Sequence, residues 1–408
     1  MKFRPLYAAL ALVCLSMPYA SAETVSPEAR ALHDRILTLD SHLDTPAYFA
    51  REGWDILQRN DDPHHGSQVD YPRLQEGGLD GGIWVIYTPQ RGRTPEDDRV
   101  ARDHGLKRLV EIRELLAAHP DKFELALTAD DAQRIADAGK RVVYISIENA
   151  NPLSSDPSLL KLYHDLGLRV LGLTHVANND FADSSNTEPE WGGLSDKGKA
   201  LVAEANRLGI VLDQSHASDT VFDQLLELSK APIILSHTGA DAIYEHPRNI
   251  DDARIRKLAE KGGVLLVNAY DGYLIDTGVT PEYNKELGEL FQKFGGRNRI
   301  KESDYPAFDE QRAELDRKYG IRKATLEDYF AHILHILKVA GPKHVGFGAD
   351  WDGGGGVEGL EDISQLPKIT ARLLQEGYTE EQIEDIWSGN LLRVIREAQA
   401  LAQPEPRS

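Results

Sequence analysis

The stretch LDSHLDTP, residues 39–46, places a histidine and an aspartate two positions apart directly after the apolar segment RILTL. On an extended backbone, residues two positions apart point to the same side. His42 and Asp44 could therefore bring a nitrogen and an oxygen donor to one point, and such a pair could bind a metal ion. A solvated turn is the alternative, and the rest of the chain has to distinguish the two.

Short apolar segments of this kind recur along the chain, separated by longer charged and amphipathic stretches. Near-continuous apolar strands that alternate with helices indicate a parallel sheet. The eight predicted strands are residues 35–42, 81–88, 141–148, 168–175, 209–216, 231–237, 262–270 and 343–350. Eight such units predict a (β/α)8 TIM barrel with loop insertions, the longest of them at residues 276–323. A doubly wound open sheet is the alternative.

Six of these strands end in a histidine or a carboxylate, and the dipeptide Ser-His ends three of them. The carboxyl ends of the strands surround one active site in barrel enzymes, so a barrel would gather side chains that lie far apart in sequence. The six residues are His42, Glu148, His175, His216, His237 and Asp350. A lone histidine at a strand end is more simply explained as a hydrogen-bonded core or turn residue, whereas a buried carboxylate such as Glu148 needs a cation or hydrogen-bond donors nearby. Together they favour a metallohydrolase.

Three imidazoles and two carboxylates could hold metal ions: His42, Asp44, Glu148, His216 and His237. Nitrogen and oxygen ligands without sulfur suit zinc, and also manganese or cobalt. Five ligands are more than one tetrahedral catalytic zinc uses, so two ions that share Glu148 fit better. Such a pair would hold a hydroxide between the ions and polarise a carbonyl, with Asp350 as the candidate general base and acid.

Composition excludes several classes of partner and of catalysis. The 408 residues include 66 acidic and 46 basic ones, and the resulting net charge of −20 argues against nucleic acid or an anionic membrane surface as a partner. Cys14 is the only cysteine. A catalytic cysteine and a zinc-thiolate site are therefore both excluded from the rest of the chain.

The first 22 residues have the pattern of a cleaved secretory signal peptide. Basic residues precede an apolar run that is too short to span a bilayer, and Ala20-Ser21-Ala22 is a small-x-small cleavage site. A lipid anchor on Cys14 is the less favoured alternative, because Val13 stands where a lipoprotein signal has a small residue. The sequence thus predicts a secreted or periplasmic protein without a membrane span in the mature chain, with one domain over 23–400 and a disordered tail at 401–408.

Longer motifs, in their order along the chain, resemble the membrane (renal) dipeptidase family of zinc peptidases. They are DSHLDTP, GLTHVAN, GLSDKGKALVAEANRLGIVLDQSHAS, APIILSHTGA followed by HPRNI, GGVLLVNAY and HVGFGADWDG. The segment GLEDISQLPKITARLLQEGYTEEQIEDIWSGNLLRV also resembles the family's C-terminal region. The resemblance spans nearly the whole chain after the predicted signal peptide.

The resemblance implies a (β/α)8 barrel with two zinc ions, in agreement with the pattern of strand ends. One ion would be held by His42, Asp44 and Glu148. The other would be held by Glu148, His216 and His237, so that Glu148 bridges the two.

The resemblance also implies roles for four further residues. His175 matches the family histidine that contacts the substrate carbonyl and its developing oxyanion. Arg248 matches the arginine that binds the substrate's terminal carboxylate, a role that suits a guanidinium fork. Asp350 matches the residue credited with proton transfer, and Tyr270 is expected to line the pocket.

The predicted function is an exported dinuclear zinc dipeptidase that hydrolyses the one peptide bond of a dipeptide, including dipeptides with a D-residue at the second position. A homodimer is compatible with the family, although the sequence carries no interface signature. One alternative is another amidohydrolase-type reaction, on a lactone, an N-acyl amino acid or a phosphotriester. A maturation hydrolase for one small secreted peptide is a narrower alternative, and a binding protein that kept the barrel is another.

Two segments depart from the family pattern. The bridging glutamate of mammalian members is followed by two glycines, whereas Glu148 is followed by NANPL. These larger side chains are expected to reshape the pocket, so substrate preference is not carried over. The insertion at 276–323 is expected to form a lid or an oligomer contact.

Overall fold

The computed structural model describes residues 25–297 and 299–403. The predicted signal peptide, residues 1–22, lies outside this part of the chain, as do residues 404–408 of the predicted tail. Residues 401–403 are described, and Gln403 N donates a hydrogen bond to Arg207 O at 2.8 Å.

Nine strands, all paired in parallel, form one sheet within the described residues. They are β1 Leu39–Leu43, β2 Gly81–Tyr87, β3 Phe123–Leu125, β4 Arg141–Glu148, β5 Leu168–Gly172, β6 Val211–Asp213, β7 Ile234–Thr238, β8 Val264–Val267 and β9 Val345–Phe347. Each predicted strand overlaps one of them, β1 and β7 each extend one residue beyond the predicted end, and β3 is the strand that the sequence analysis did not predict.

The strands run in the order β1-β2-β4-β5-β6-β7-β8-β9, and β3 pairs with the start of β4 beside this path. After β9 the chain returns to β1: Leu43 forms a parallel bridge with Trp351, and Asp44 N donates to Trp351 O at 2.9 Å. This return closes the eight strands into a barrel. The predicted (β/α)8 TIM barrel with loop insertions is confirmed, and the open sheet is excluded.

Fifteen α-helices lie within the described ranges. They are α1 Pro27–His33, α2 Tyr71–Glu76, α3 Pro95–Ala118, α4 Asp131–Asp137, α5 Leu159–Asp165, α6 Asp196–Leu208, α7 Asp219–Leu228, α8 Asp252–Glu260, α9 Asp271–Leu274, α10 Pro281–Lys293, α11 Tyr305–Tyr319, α12 Leu326–Ala340, α13 Pro367–Gln375, α14 Glu380–Glu384 and α15 Asn390–Ala400. No helix of the described residues is long and apolar enough to cross a membrane.

Local sequence signals account for the ends of the helices. Ser195 Oγ accepts a hydrogen bond from Gly198 N at the start of α6, and Gly209 ends that helix with φ 73°, in the left-handed region open to glycine. Thr325 and Asp328 form a capping box at the start of α12. Both helices coincide with amphipathic segments that the sequence pattern indicates.

The apolar core has two layers, and alternate residues of a strand belong to different layers. On β4, Val142 and Tyr144 belong to a smaller cluster that also includes residues of α15, whereas Val143 and Ile145 belong to a larger cluster with the surrounding helices. This alternation is that of a filled barrel, with apolar side chains on both faces of each strand. The core holds the sheet rigid, so the strand ends can position a site.

The predicted insertion forms a helical pair, α10 and α11, which we call the insertion hairpin (residues 281–319). Phe291 and Phe308 stack between the two helices, with ring centroids 5.2 Å apart. The Tyr305 ring lies parallel to the His64 ring at 3.7 Å, and its hydroxyl is 3.0 Å from His65 Nε2. The hairpin therefore packs on the loop that follows β1.

Candidate metal centre

The carboxyl ends of six strands bring the seven predicted chemical side chains together. His42 and His237 lie within β1 and β7, and Glu148 is the last residue of β4. The other four follow a strand end: Asp44 after β1, His175 after β5, His216 after β6 and Asp350 after β9. All seven belong to overlapping groups whose ligand atoms lie within 4.8 Å of one another.

Glu148 occupies the middle of the cluster, and its two oxygens face different imidazoles. Oε2 lies 3.7 Å from His42 Nε2. Oε1 lies 3.1 Å from His216 Nε2 and 3.4 Å from His237 Nε2. A carboxylate in this position can bind one cation through each oxygen.

The side of the cluster near β1 carries two more carboxylates. His42 Nε2 is 3.4 Å from Asp44 Oδ2 and 3.8 Å from Asp350 Oδ1. These three residues form one of the potential ligand groups, while Glu148, His175 and His216 form another. Both groups use only nitrogen and oxygen donors, which suit zinc, manganese or cobalt.

Several donor atoms in this cluster are buried without a partner. Within the described part of the chain, His42 Nε2, Asp44 Oδ1 and His216 Nδ1 are buried and make no hydrogen bond. His216 Nε2 and His237 Nε2 are 2.8 Å apart and share the same carboxylate oxygen. Buried polar atoms normally have partners, so this concentration of unpartnered donors fits a site for cations.

The backbone at two of these residues is held in an unusual conformation. His216 has φ 70° and Asp350 has φ 65°. Both values lie in the left-handed region of backbone conformation, which residues other than glycine rarely adopt. Such conformations persist where the surrounding structure imposes them, and they concentrate at functional sites. Each of the two residues lies three positions after the end of its strand, β6 or β9, and its side chain belongs to the cluster.

The charges in the cluster affect the pKa of each ligand. Burial lowers the pKa of His216 and His237 well below the usual value, so both imidazoles are neutral at pH 7. Burial opposes ionisation of Glu148, but His42 and His175 outweigh it and hold the Glu148 pKa well below its usual value. Burial would also lower the pKa of His42, but Glu148 and Asp44 raise it well above the usual value. The neutral imidazoles of His216 and His237 beside the ionised Glu148 suit a divalent cation, whose binding would release the proton of His42.

Asp350 differs from the other carboxylates of the cluster. Burial, reinforced by the charges of Asp44 and Glu148, raises the pKa of Asp350 to about 8, although His42 opposes this rise. A carboxyl group that exchanges its proton near neutral pH is suited to general acid and base catalysis.

Arg248 lies beside the cluster as a buried guanidinium. Nη2 donates to His237 O at 3.0 Å, Cζ lies 5.0 Å from the centre of the Tyr273 ring, and Nε has no hydrogen-bond partner. No carboxylate of the described residues forms an ion pair with it. A buried and unpaired cation of this shape suits a ligand carboxylate. Tyr270 lies further out, 38% exposed, with its ring 4.7 Å from that of Tyr273.

Sequence reasoning missed several polar residues around the cluster. The Tyr87 ring, at the end of β2, lies 5.1 Å from the His175 ring, and burial raises the Tyr87 pKa to about 12. Asn268, just after β8, is buried with an unpartnered Nδ2. Both lie at or directly after the end of a strand. Extending the search at strand ends from histidines and carboxylates to every type of polar residue would therefore have found them. Asp213, which supports His237 through Ser236, likewise lies at the end of a strand, β6, whereas Ser236 lies inside β7 and the sequence pattern marks it only as part of a Ser-His dipeptide.

The segment after Glu148 makes specific contacts. Asn149 has φ 68°; its Nδ2 donates to Thr88 O at 3.0 Å, and its Oδ1 accepts from Asn179 Nδ2 at 3.0 Å. Asn149 therefore links the loops that follow β2, β4 and β5. Its effect on substrate preference stays a prediction.

A closed (β/α)8 barrel with a buried cluster of imidazoles and carboxylates at its carboxyl end defines a metal-dependent hydrolase. The model of one family, described as membrane dipeptidase (peptidase family M19), matches residues 26–408. This chain belongs to that family and is a metallo-dipeptidase.

Individual relatives agree with the family match. The chain is 30% identical to dipeptidase tcpJ of Claviceps purpurea, over 82% of this chain and 70% of that protein. It is 28% identical to dipeptidase aclJ of Aspergillus oryzae, over 90% and 80%. The crystal structure of the probable dipeptidase PvdM from Pseudomonas aeruginosa superposes with a TM-score of 0.77 at 29% identity, covering 92% of this chain and 98% of that one.

Proposed function

We propose that this metallo-dipeptidase uses two divalent ions, zinc in the first place, to hydrolyse dipeptides. His42, Asp44 and Glu148 would hold one ion, and Glu148, His216 and His237 the other. The observation that carries the proposal is the position of Glu148, whose two oxygens face different imidazoles. Manganese or cobalt would fit the same donors.

The ions would supply a hydroxide held between them and polarise the scissile carbonyl. The protein groups around them bind and orient the dipeptide. Arg248 would pair with its terminal carboxylate, because this guanidinium is buried and lacks an anion of its own. A terminal carboxylate at this depth limits the substrate to one peptide bond, which excludes longer peptides.

Two residues would assist the chemical step. Burial lowers the pKa of His175, so its neutral imidazole can donate one N–H to the developing oxyanion. Asp350 would accept a proton from the attacking water and give it to the leaving amine. Bound cations would lower the Asp350 pKa from about 8 toward neutrality, because they favour the ionised form. Tyr270 would line the mouth of the pocket.

The proposal extends to the substrate and the cellular site. Dipeptides with a D-residue at the second position are included, since the family resemblance implies tolerance there. Secretion or export to a periplasm rests on the signal-like residues 1–22, with small dipeptides as the substrates in that compartment. A homodimer is part of the same proposal and is tested by the mass of the protein in solution.

Amine release from a panel of dipeptides tests the proposed function. The mature protein is assayed metal-free and after zinc loading, with L-Ala-L-Ala, L-Ala-D-Ala, an N-acetylated dipeptide and a tripeptide, while bound zinc is counted. We expect two zinc ions per chain and zinc-dependent cleavage of free dipeptides alone. Two bound ions without cleavage of any dipeptide would reject the general dipeptidase and favour the dedicated maturation hydrolase or another amidohydrolase-type reaction.

A further inference from the structure

A cavity of about 730 Å³ lies between the loop after β1 and the insertion hairpin. The residues that line it include two arginines, Arg51 and Arg297, two acidic residues, Glu52 and Asp62, and Tyr305. None of the predicted metal ligands lines it, so it is distinct from the metal centre.

The loop after β1 connects this cavity to the metal centre. The turn Thr45–Tyr48 begins directly after Asp44, and the Arg51 guanidinium packs over the Tyr48 ring at 3.9 Å. Burial raises the pKa of the Tyr48 hydroxyl, Asp44 adds to this rise and Arg51 opposes it. Tyr48 therefore lies within electrostatic reach of both the predicted ligand and the cavity wall.

Arg297, the other arginine of the cavity, is related to the metal centre through Tyr270. Gly353 lies against the carboxylates of Asp44 and Asp350, and the next residue, Gly354, lies against the Tyr270 ring. Burial and the charge of Asp350 raise the pKa of the Tyr270 hydroxyl, whereas Arg297 lowers it. Arg51 thus contacts Tyr48 of the loop that carries Asp44, and Arg297 lies within electrostatic range of Tyr270.

The charges on the cavity wall are incompletely paired. In the part of the chain that the structure describes, neither Arg51 nor Arg297 forms an ion pair with a carboxylate; each packs on an aromatic ring, Tyr48 at 3.9 Å and Phe291 at 5.6 Å. Asp62 accepts hydrogen bonds from the backbone N–H groups of His64 at 2.8 Å and His65 at 2.7 Å, which compensate its charge.

Among the described residues, the cavity wall therefore has two guanidinium groups without an ion pair and one carboxylate, Glu52, whose charge is not compensated by hydrogen bonds. This local excess of positive charge occurs in a protein whose net charge is −20. A guanidinium offers a planar fork of donors that matches a carboxylate. The chemistry of this wall favours an anionic group of the ligand over an apolar one.

We propose that this cavity is a side-chain subsite of the metal centre and that Arg51 and Arg297 select dipeptides with an acidic side chain. The inference rests on the proposed dipeptidase function and adds a substrate class to it. Arg248 takes the terminal carboxylate, and the two cavity arginines take the second carboxylate of the same substrate.

The test compares acidic dipeptides with their uncharged amide counterparts. Values of kcat/KM are measured for Ala-Glu and Ala-Gln, and for Glu-Ala and Gln-Ala, with the zinc-loaded wild type and the variants Arg51→Gln, Arg297→Gln and the double variant. At one of the two positions we expect the wild type to prefer the acidic member about fivefold, at the upper end of what a partly exposed charge pair contributes. The preference should shrink as salt is added.

The double variant should lose this preference, because its kcat/KM for the acidic dipeptide falls about fivefold more than for the amide. Arg317→Gln, which removes an equal charge from an exposed position of α11 outside the cavity, is the matched control and should keep the preference. An equal loss on both dipeptides, or no acidic preference in the wild type, would overturn the subsite. Failure to cleave any dipeptide would instead reject the proposed function.

Discussion

Ser236 Oγ lies 2.8 Å from His237 Nδ1 and donates its own proton to Asp213 Oδ2 at 2.5 Å. Asp213 Oδ1 is in turn fixed by the backbone N–H groups of Ser215 and Ser236, at 3.0 and 2.9 Å. Because the serine proton is committed to Asp213, Ser236 Oγ accepts the Nδ1 proton of His237. The relay leaves Nε2 unprotonated and directed at Glu148, the tautomer that binds a cation.

Ser236→Ala should therefore weaken metal binding. Loss of such a supporting contact typically lowers metal affinity about 10- to 100-fold, and we expect a change of this order when bound zinc is titrated against a chelator. Ser388→Ala, which alters a buried serine outside the site, is the matched control. Unchanged zinc affinity in Ser236→Ala would show that His237 keeps its tautomer without the relay.

Gly353→Ala should damage the site without unfolding the barrel. A methyl group at this position would overlap both Asp44 Oδ2 and Asp350 Oδ1. The two carboxylates would have to separate, and a displacement of about 1 Å can cost roughly 100-fold in rate. Activity and zinc content are measured together with the melting temperature. The control is Gly288→Ala in α10, where an added methyl meets nothing within 4 Å; equal activity in both variants would contradict the expectation.

Much of the fold and the cluster could be predicted because both depend on patterns along the backbone. Apolar strands alternate with amphipathic helices, and a parallel barrel brings the strand ends together. Six distant strand ends therefore predicted one cluster before any distance was known. Histidines that do not lie at strand ends have other partners, as His332 in α12 shows. It accepts a hydrogen bond from Ala240 N through Nδ1 and donates to Leu274 O through Nε2, both at 3.0 Å.

The remaining features depend on contacts between segments that the sequence does not link. In the sequence, the four consecutive glycines 353–356 look like a short low-complexity segment. In the structure, position 353 needs glycine because the carboxylates of Asp44 and Asp350, from two different loops, leave no room for a Cβ atom. Ser236 and Asp213 are ordinary strand residues until the neighbouring strands place them beside His237. The short strand β3 was missed because only three residues pair with β4. The packing of the insertion hairpin on His64 and His65 likewise has no local signature.

Asp350→Asn should lower kcat while both metal ions remain bound. The amide keeps the size of the side chain but cannot accept and return a proton, and loss of a general acid and base typically costs about 10²- to 10⁴-fold in rate. Zinc content is measured on the same samples as dipeptide turnover. Loss of one ion in parallel with activity would instead assign Asp350 as a ligand, which its distance of 3.8 Å from His42 Nε2 would permit.

Arg248→Lys should raise KM for dipeptides even though the charge is kept. Lysine cannot form the paired hydrogen bonds of a guanidinium with a carboxylate, and we expect a loss in kcat/KM of roughly 100-fold, in the range of a lost charge-assisted pair. Dipeptides with an amidated C-terminus lack the partner of Arg248, so they should be poor substrates for the wild type and lose little further in the variant. An equal loss on free and amidated dipeptides would place Arg248 in a structural role.

The stability of the barrel should fall as the pH falls from 6.5 to 4, in part because of His33. This imidazole is 1% exposed, with Nδ1 2.7 Å from Thr370 Oγ1 and Nε2 2.8 Å from Gly77 O. Burial lowers the His33 pKa from 6.5 to about 4. The unfolded chain therefore binds a proton below pH 6.5 that the folded protein accepts only near pH 4.

The difference between the His33 pKa values of the unfolded and folded states corresponds to about 3 kcal/mol of unfolding free energy. This contribution to stability is fully present above pH 6.5 and is lost as the pH falls to 4. Urea unfolding at several pH values measures it. His33→Gln should remove this part of the slope, because the variant has no imidazole to titrate. Thr370→Val loses the hydrogen bond to His33 but keeps the buried imidazole, so it should lower stability and retain the slope. A slope that is the same in His33→Gln and in the wild type would assign the acid sensitivity to other groups.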